Sequence, residues 1–228
     1  MEIMIDLLLA EELFLLVHDE ASGKGDATVA IDNGYAGALL LELASDGLVV
    51  LKDKVLRAAP GPASHPLLAE AHDRLTESEK LHKPDYWVTR LPAALKPLDA
   101  KLGQSLVHRG VLSEKRGKRL GLFRTTAWPE VDPAPERELR ARLSGVVTQG
   151  VEPDAHLGLL ICLLSALNGI NALVEKPDRR VARKRAQQIA EQTTDGAAVS
   201  AAVAKSVQAV QAAVLVAVMI PVMTTVTT

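Results

Sequence analysis

The chain has 228 residues, 48% of them apolar and only 3% aromatic, with one cysteine and a formal net charge of −2. That apolar content excludes a disordered chain, and the length suits one large domain or two small ones. A core this poor in aromatics must be built from Leu, Ala and Val, which favours helices over a β-sandwich, and the near-neutral charge leaves any attraction to nucleic acid or anionic lipid to a local patch. The lone Cys162, within Leu159-Leu160-Ile161-Cys162-Leu163-Leu164, excludes an intramolecular disulfide, fits a reducing compartment and reads as a small buried apolar residue.

In chain order, residues 6–17 predict a strongly apolar helix with Asp6 as its N-cap and an acidic stripe at Glu11 and Glu12. The same acidic start, with Glu2 and Asp6 where a secretory signal carries positive charge, argues against such a signal. Glycines make 22–26 a loop. A second helix over 35–44 ends before Gly47, a suitable C-cap. Leu48-Val49-Val50-Leu51 and Val55-Leu56-Arg57 flank the polar Lys52-Asp53-Lys54 and predict a hairpin. Helices are expected over 66–81, 86–91 and 95–109. Gly110-Val111-Leu112, a basic turn over 113–119 and Leu120-Gly121-Leu122-Phe123 then predict a second hairpin. Beyond Trp128-Pro129, helices are expected over 134–147, 154–172, 178–192 and 196–218. The apolar run 212–223 is short of the ~20 residues that cross a bilayer and contains Pro221, so it predicts a buried terminal helix. No linker stands out. The expected fold class is mainly α, a single globular helical domain over 1–228 with two short β-hairpins.

Signatures of catalysis are missing. The histidines, His18, His65, His72, His82, His108 and His156, form no i, i+4 pair and there is no cysteine pair, so no metal site is expected; four of the six lie near charged residues and read as solvated. Neither a Gly-x-Ser-x-Gly nucleophile motif nor a glycine-rich phosphate motif occurs, and no cofactor is expected. Glu11 and Glu12 splay about 100° apart on a helix and cannot share a proton.

Two cationic clusters remain. In the second hairpin Lys115, Arg116, Lys118, Arg119 and Arg124 interleave with Leu120, Leu122 and Phe123, and strand alternation sends Leu120 and Leu122 to one face and Arg119 and Phe123 to the other. Such a ribbon can enter a headgroup layer, where each cation contributes about 1 kcal/mol, or pair with another subunit; the plain alternative is a solvated turn. The other cluster, Lys176, Arg179, Arg180, Arg183, Lys184 and Arg185, opens a helix capped by Asp178, with positions 179, 180, 183 and 184 on one side. Cations there oppose the helix dipole, so either an anion or acidic neighbour compensates or the face is simply solvated.

Several segments together resemble the successive motifs of the Golgi phosphoprotein 3 family: Leu9-Ala10-Glu11-Glu12-Leu13-Phe14-Leu15-Leu16, Gly37-Ala38-Leu39-Leu40-Leu41-Glu42-Leu43 with Gly47 after it, Leu106-Val107-His108-Arg109-Gly110-Val111-Leu112, Trp128-Pro129, the leucine-rich run around Cys162, and Arg180-Val181-Ala182-Arg183-Lys184-Arg185-Ala186. They run in order over 5–191. The resemblance implies a non-enzymatic, cytoplasmic, peripherally membrane-associated adaptor of compact, bacterial type. The family's eukaryotic members bind phosphatidylinositol 4-phosphate and recruit cytoplasmic tails of Golgi glycosyltransferases. The hairpin matching 111–123 is associated there with self-association and membrane contact. The expected partners are therefore an anionic phospholipid with a phosphoinositide-like headgroup, a second copy through the hairpin, and tails of membrane proteins. Where the family's lipid pocket has a tryptophan and three arginines, this chain has Ala27, Ala36, Lys96 and Asp99, which removes most bidentate phosphate recognition. Lys96, Lys101 and Arg109 are the remaining headgroup candidates. The rival is a winged-helix-like nucleic-acid module, since helix followed by hairpin occurs twice; against it, the helix before the basic hairpin offers only Gln104, His108 and Arg109 to read bases.

Overall fold

Leucine and alanine cover the whole circumference of two early segments, so both must be buried on every side. The first forms α1 (Leu9–Val17) and the second forms α2 (Val29–Ser45), in which Ala36, Ala38, Leu39, Leu40, Leu41, Leu43 and Ala44 are all fully buried. The computed structural model describes residues 6–19, 24–25, 29–119, 123–193 and 201–219. Around α1 and α2 lie α3 (Pro66–Thr76), α4 (Pro84–Ala94), α5 (Leu98–His108), α6 (Ala134–Gln149), α7 (Ala155–Ala166), α8 (Arg179–Thr193) and α9 (Ala201–Met219). Helix α2 is the hub, packed on α9, α4 and α1. The α2–α9 approach is close because position 37 is glycine: a Cβ there would run into the Val214 side chain. The result is the expected mainly α fold with short hairpins.

The first hairpin forms as read. Strand β3 (Val49–Lys52) pairs antiparallel with β4 (Val55–Ala58), after a two-residue ladder of β1 (His18–Asp19) with β2 (Lys24–Gly25). Asp53 and Lys54 both take positive φ, 55° and 65°, the signature of the tight turn whose twist matches the strands. Gly47 also behaves as expected: its φ is +73° and the Leu48 N–H donates to the Leu43 carbonyl at 2.9 Å, closing α2.

The second hairpin is shifted. Val111 and Leu112, expected in its first strand, are buried, and their N–H groups donate to the Leu106 carbonyl at 3.0 and 3.3 Å as the chain turns at Gly110. They end α5. The residues expected to form the turn form β5 (Lys115–Arg119), which pairs antiparallel with β6 (Phe123–Ala127). Leu120, Gly121 and Leu122 lie outside the described residues.

Other limits moved for local reasons. The expected Asp6 cap is replaced, because α1 starts at Leu9 and Asp6 is exposed ahead of buried Leu7 and Leu8. Helix α3 stops at Thr76, five residues early, and Pro84 opens α4. Asn168, at φ +57°, ends the helix expected to reach Ala172, and Gly169–Ala172 continues as a 3₁₀ turn. Cys162 is buried, and among the described residues no helix is long and apolar enough to cross a membrane.

Buried Trp128 fixes where the second ribbon leaves the body. Its ring meets Phe14 edge-on, with centroids 6.5 Å apart, and lies against Gly103 of α5, where a Cβ would overlap the indole. Gly103→Ala is expected to lower stability by about 1–3 kcal/mol through overpacking, read as a lower urea midpoint, although alanine is the better helix former.

Candidate functional site

Helix α1 carries two carboxylates into the core: Glu11 is 0% and Glu12 7% exposed. Glu11 stands at the third helical position, and its Oε2 accepts the Leu8 N–H at 2.9 Å, the acidic half of a capping box. The Leu9 N–H donates to Oε2 of Glu42, on α2, at 3.0 Å. The other oxygen of Glu11 faces Arg109 Nε at 3.4 Å and His65 Nε2 at 3.8 Å, and Arg109 Nη1 donates to the Asp6 carbonyl at 2.8 Å. Glu12 points elsewhere, to His156 Nε2 at 2.8 Å. At the far end of α1, Arg140 is paired with Glu136 and donates to the Leu16 carbonyl at 3.2 Å. The acidic stripe is thus an interior charge network, and the splay of the two glutamates sends them to separate partners.

Above Glu11 opens a cleft of about 490 Å³ between the start of α3 and the end of α5, with His65, Lys101, Gln104, Ser105, His108 and Arg109 among its lining residues. Two of the three headgroup candidates, Lys101 and Arg109, therefore share one cleft. Each already has an anion: Lys101 Nζ reaches the two Glu70 oxygens at 2.7 and 2.6 Å, and Arg109 serves Glu11. The third candidate, Lys96, is exposed outside this lining, near Asp32 and Asp99. Burial and the charge of Asp99 raise the Asp32 carboxyl, with Lys96 pulling it back. Burial, with Asp32 and Asp99 adding to it, also keeps the Tyr35 phenol protonated. Of the positions matching the family's lipid pocket, Ala36 is fully buried and Ala27 lies outside the described residues.

Ser105, His65 and Glu11 lie together, yet they cannot relay a proton as a nucleophilic triad does. His65 Nδ1 accepts the Leu67 N–H at 3.1 Å as the N-cap of α3, so its proton sits on Nε2. That same Nε2 faces both Ser105 Oγ at 3.3 Å and Glu11 at 3.8 Å. The nitrogen that should take the serine proton already holds one. Burial, reinforced by Arg109 and opposed by Glu11, lowers the His65 pKa and keeps the ring neutral.

His156 differs: burial pulls it down, but the hydrogen bond and charge of Glu12, with Glu42 and Asp154, outweigh that and raise its pKa. His65 and His156 are thus both tied to the buried glutamates of α1, at 3.8 and 2.8 Å. Sequence reasoning missed these roles, although one signal was available: a glutamate pair inside a helix apolar on every side has no solvent face to occupy.

The two cationic clusters lie apart from the cleft. In the β5–β6 ribbon, residues 114–117 are exposed, Arg116 is paired with Glu114 at 2.6 Å, and the register sets Lys118 opposite Arg124 and Arg119 opposite Phe123. On α8, Arg180, Arg183 and Lys184 are exposed while Ala182, Ala186 and Ile189 are buried.

Residues 9–210 match the family model described as Golgi phosphoprotein 3 (GPP34). The chain belongs to the Golgi phosphoprotein 3 family. Compared one by one with curated proteins, it matches none. The Golgi phosphoprotein 3 motifs now have physical meanings in this chain. Arg109 of the Leu106–Leu112 motif is the counterion of Glu11 in the first motif, and Trp128 of the Trp-Pro pair is the ring seated on α5.

Arg109→Gln should therefore cost about 3 kcal/mol by leaving Glu11 buried without its cation. Lys101→Gln, in a half-exposed pair, should cost about 1 kcal/mol or less in the same urea titration. Glu42 supplies a pH test. Burial raises its pKa from 4.5 to about 7, against the pull of His156 and the Leu9 N–H. The folded state thus holds this proton more tightly, and stability falls as pH rises from 4.5 to 7. The raised His156 adds a fall above its ordinary 6.5. Glu42→Gln keeps an acceptor for Leu9 and should flatten the lower part of that decline, by on the order of 2 kcal/mol, in urea midpoints measured across the range.

Proposed function

We propose that this protein is a non-enzymatic peripheral membrane adaptor, acting at the cytoplasmic face of a membrane and meeting anionic lipid headgroups through the β5–β6 ribbon. The observation that carries the reading is the ribbon's register. Lys118 and Arg124 are direct cross-strand partners in a two-stranded sheet that also holds Lys115, Arg116 and Arg119. Like charges set opposite each other destabilise an isolated ribbon, and a sheet of lipid phosphates removes that penalty. Among the described residues the ribbon pairs with no further strand, so its edges stay open to a second copy of the chain, which supports self-association through the same element. Leu120, Leu122 and Phe123, which follow β5 in sequence, supply the apolar part of the contact.

The cleft holding Lys101 and Arg109 is the secondary headgroup candidate, and Lys96 offers a separate single charge. Because both cleft cations already face carboxylates, an arriving phosphate would have to compete with Glu70 and Glu11. On the ribbon Arg116 is paired with Glu114, while Lys115 is exposed. The blocked Ser105–His65 pair supports a binding role over a hydrolytic one.

Sedimentation with vesicles of phosphatidylcholine alone, or with phosphatidylserine added, tests the reading. Binding is expected only with the anionic lipid and should weaken as salt rises. Replacing Lys115, Arg116, Lys118 and Arg119 together by Gln should lower partitioning by roughly a hundredfold or more, at about 1 kcal/mol per cation. Equal sedimentation with both vesicle types would sink the proposal.

A further inference from the structure

The cations of α8 are the largest charged feature that the ribbon and cleft do not use. Residues 175–185 hold six basic and two acidic side chains in a chain whose formal net charge is −2. Arg185 is paired with Glu152 at 2.7 Å, and among the described residues the other five make no ion pair. Arg180, Arg183 and Lys184 project from the first two turns. Helix geometry aligns Arg180, Lys184, Gln187 and Glu191 in one stripe at i, i+4, i+7 and i+11, with Arg183 on its flank and exposed Val181 on the other. Ala182, Ala186 and Ile189 seal the opposite side against the body.

For the helix alone this arrangement is the wrong way round. Cations crowd its positive end and the glutamate sits near its negative end, where the dipole favours the reverse. Glu175 and Asp178 just ahead of the helix offset part of this conflict, and an external anion would offset the rest.

The far end of the same stripe indicates which anion. Gln187 and Glu191 there border an apolar cleft of about 290 Å³ between α7, α8 and α9, walled by Leu163, Ala190, Val214 and Leu215 among others. Leu215 and the neighbouring Val216 are 42% and 52% exposed. A nucleic acid has no use for a greasy cleft beside its phosphate contacts. A lipid bilayer offers both phosphate and hydrocarbon.

We propose that the outer stripe of α8 is a second membrane-contact surface, with Arg180, Arg183 and Lys184 on lipid phosphates and the α7–α8–α9 cleft receiving apolar chain. This rests on the membrane reading of the ribbon and extends it. Two separated contacts on one molecule turn a weak association into a firmer one, because the second forms at high local concentration once the first has formed.

The test compares the full chain, the ribbon variant and Arg180→Gln/Arg183→Gln/Lys184→Gln on the same phosphatidylserine vesicles. The α8 variant is expected to bind about ten- to a hundredfold more weakly, with a shallower salt dependence, while its urea midpoint stays level or rises because the dipole conflict is gone. Arg180→Lys/Arg183→Lys should keep most of the binding, which separates lost charge from altered folding. If the α8 variant binds like the parent while the ribbon variant does not, this inference is wrong and the ribbon reading stands. If the parent itself ignores anionic vesicles, both fall. Preference for random duplex RNA over vesicles, lost in the α8 variant, would overturn the lipid assignment.

Discussion

Two glutamates in the middle of a leucine helix dictate much of how this molecule is put together. A buried carboxylate without a counterion costs several kcal/mol, so α1 can enter the core only with its cations. Glu11 draws the end of α5 inward through Arg109, and Glu12 draws the start of α7 through His156. The start of α1 is closed by Glu11 itself and by Glu42 of α2, and its end by Arg140 of α6. Each helix bound to α1 in this way has a fixed rotation as well as a fixed distance. Apolar packing alone would leave rotation softer, since leucines interchange along a stripe at small cost.

That internal demand limits what the cleft can do outwardly. Arg109 looks like a ligand-binding arginine when read as sequence, and in space it is committed to Glu11 and the Asp6 carbonyl. Lys101 is held by Glu70 in the same manner. Exposed cations that crowd together lie instead on the ribbon, with Lys115 and Arg116, and on the outer stripe of α8, with Arg180, Arg183 and Lys184. Both are set against local stability, one by a like-charged cross-strand pair and the other by the helix dipole. Unfavourable charge kept on the surface, in a chain that balances its interior charges closely, is the reason we propose a contact with an anionic membrane at both places.

Much of the helical body was legible from composition and spacing. The all-round apolar runs, the left-handed glycine after α2 and the Asp53-Lys54 turn all act through neighbouring residues, and local rules suffice for them. The second hairpin was legible in kind but not in register. Val111 and Leu112 do run extended, but their partner is the 129–131 segment and not the strand across the basic turn, a choice made by their burial beside the end of α5. The end of α7 was misjudged for a similar reason, because one asparagine in the left-handed region stops a helix that its apolar pattern would continue.

The candidate site divides along the same line. Sequence alone determined a leucine-built helical fold with two cationic surface clusters, since those depend on residue type and short-range order. Which cation is free and which is already neutralised was decided only by tertiary structure. Glu11 and Arg109 stand 98 positions apart, as do no local rule's partners, and a charge's availability depends on what the fold brings within a few ångströms of it.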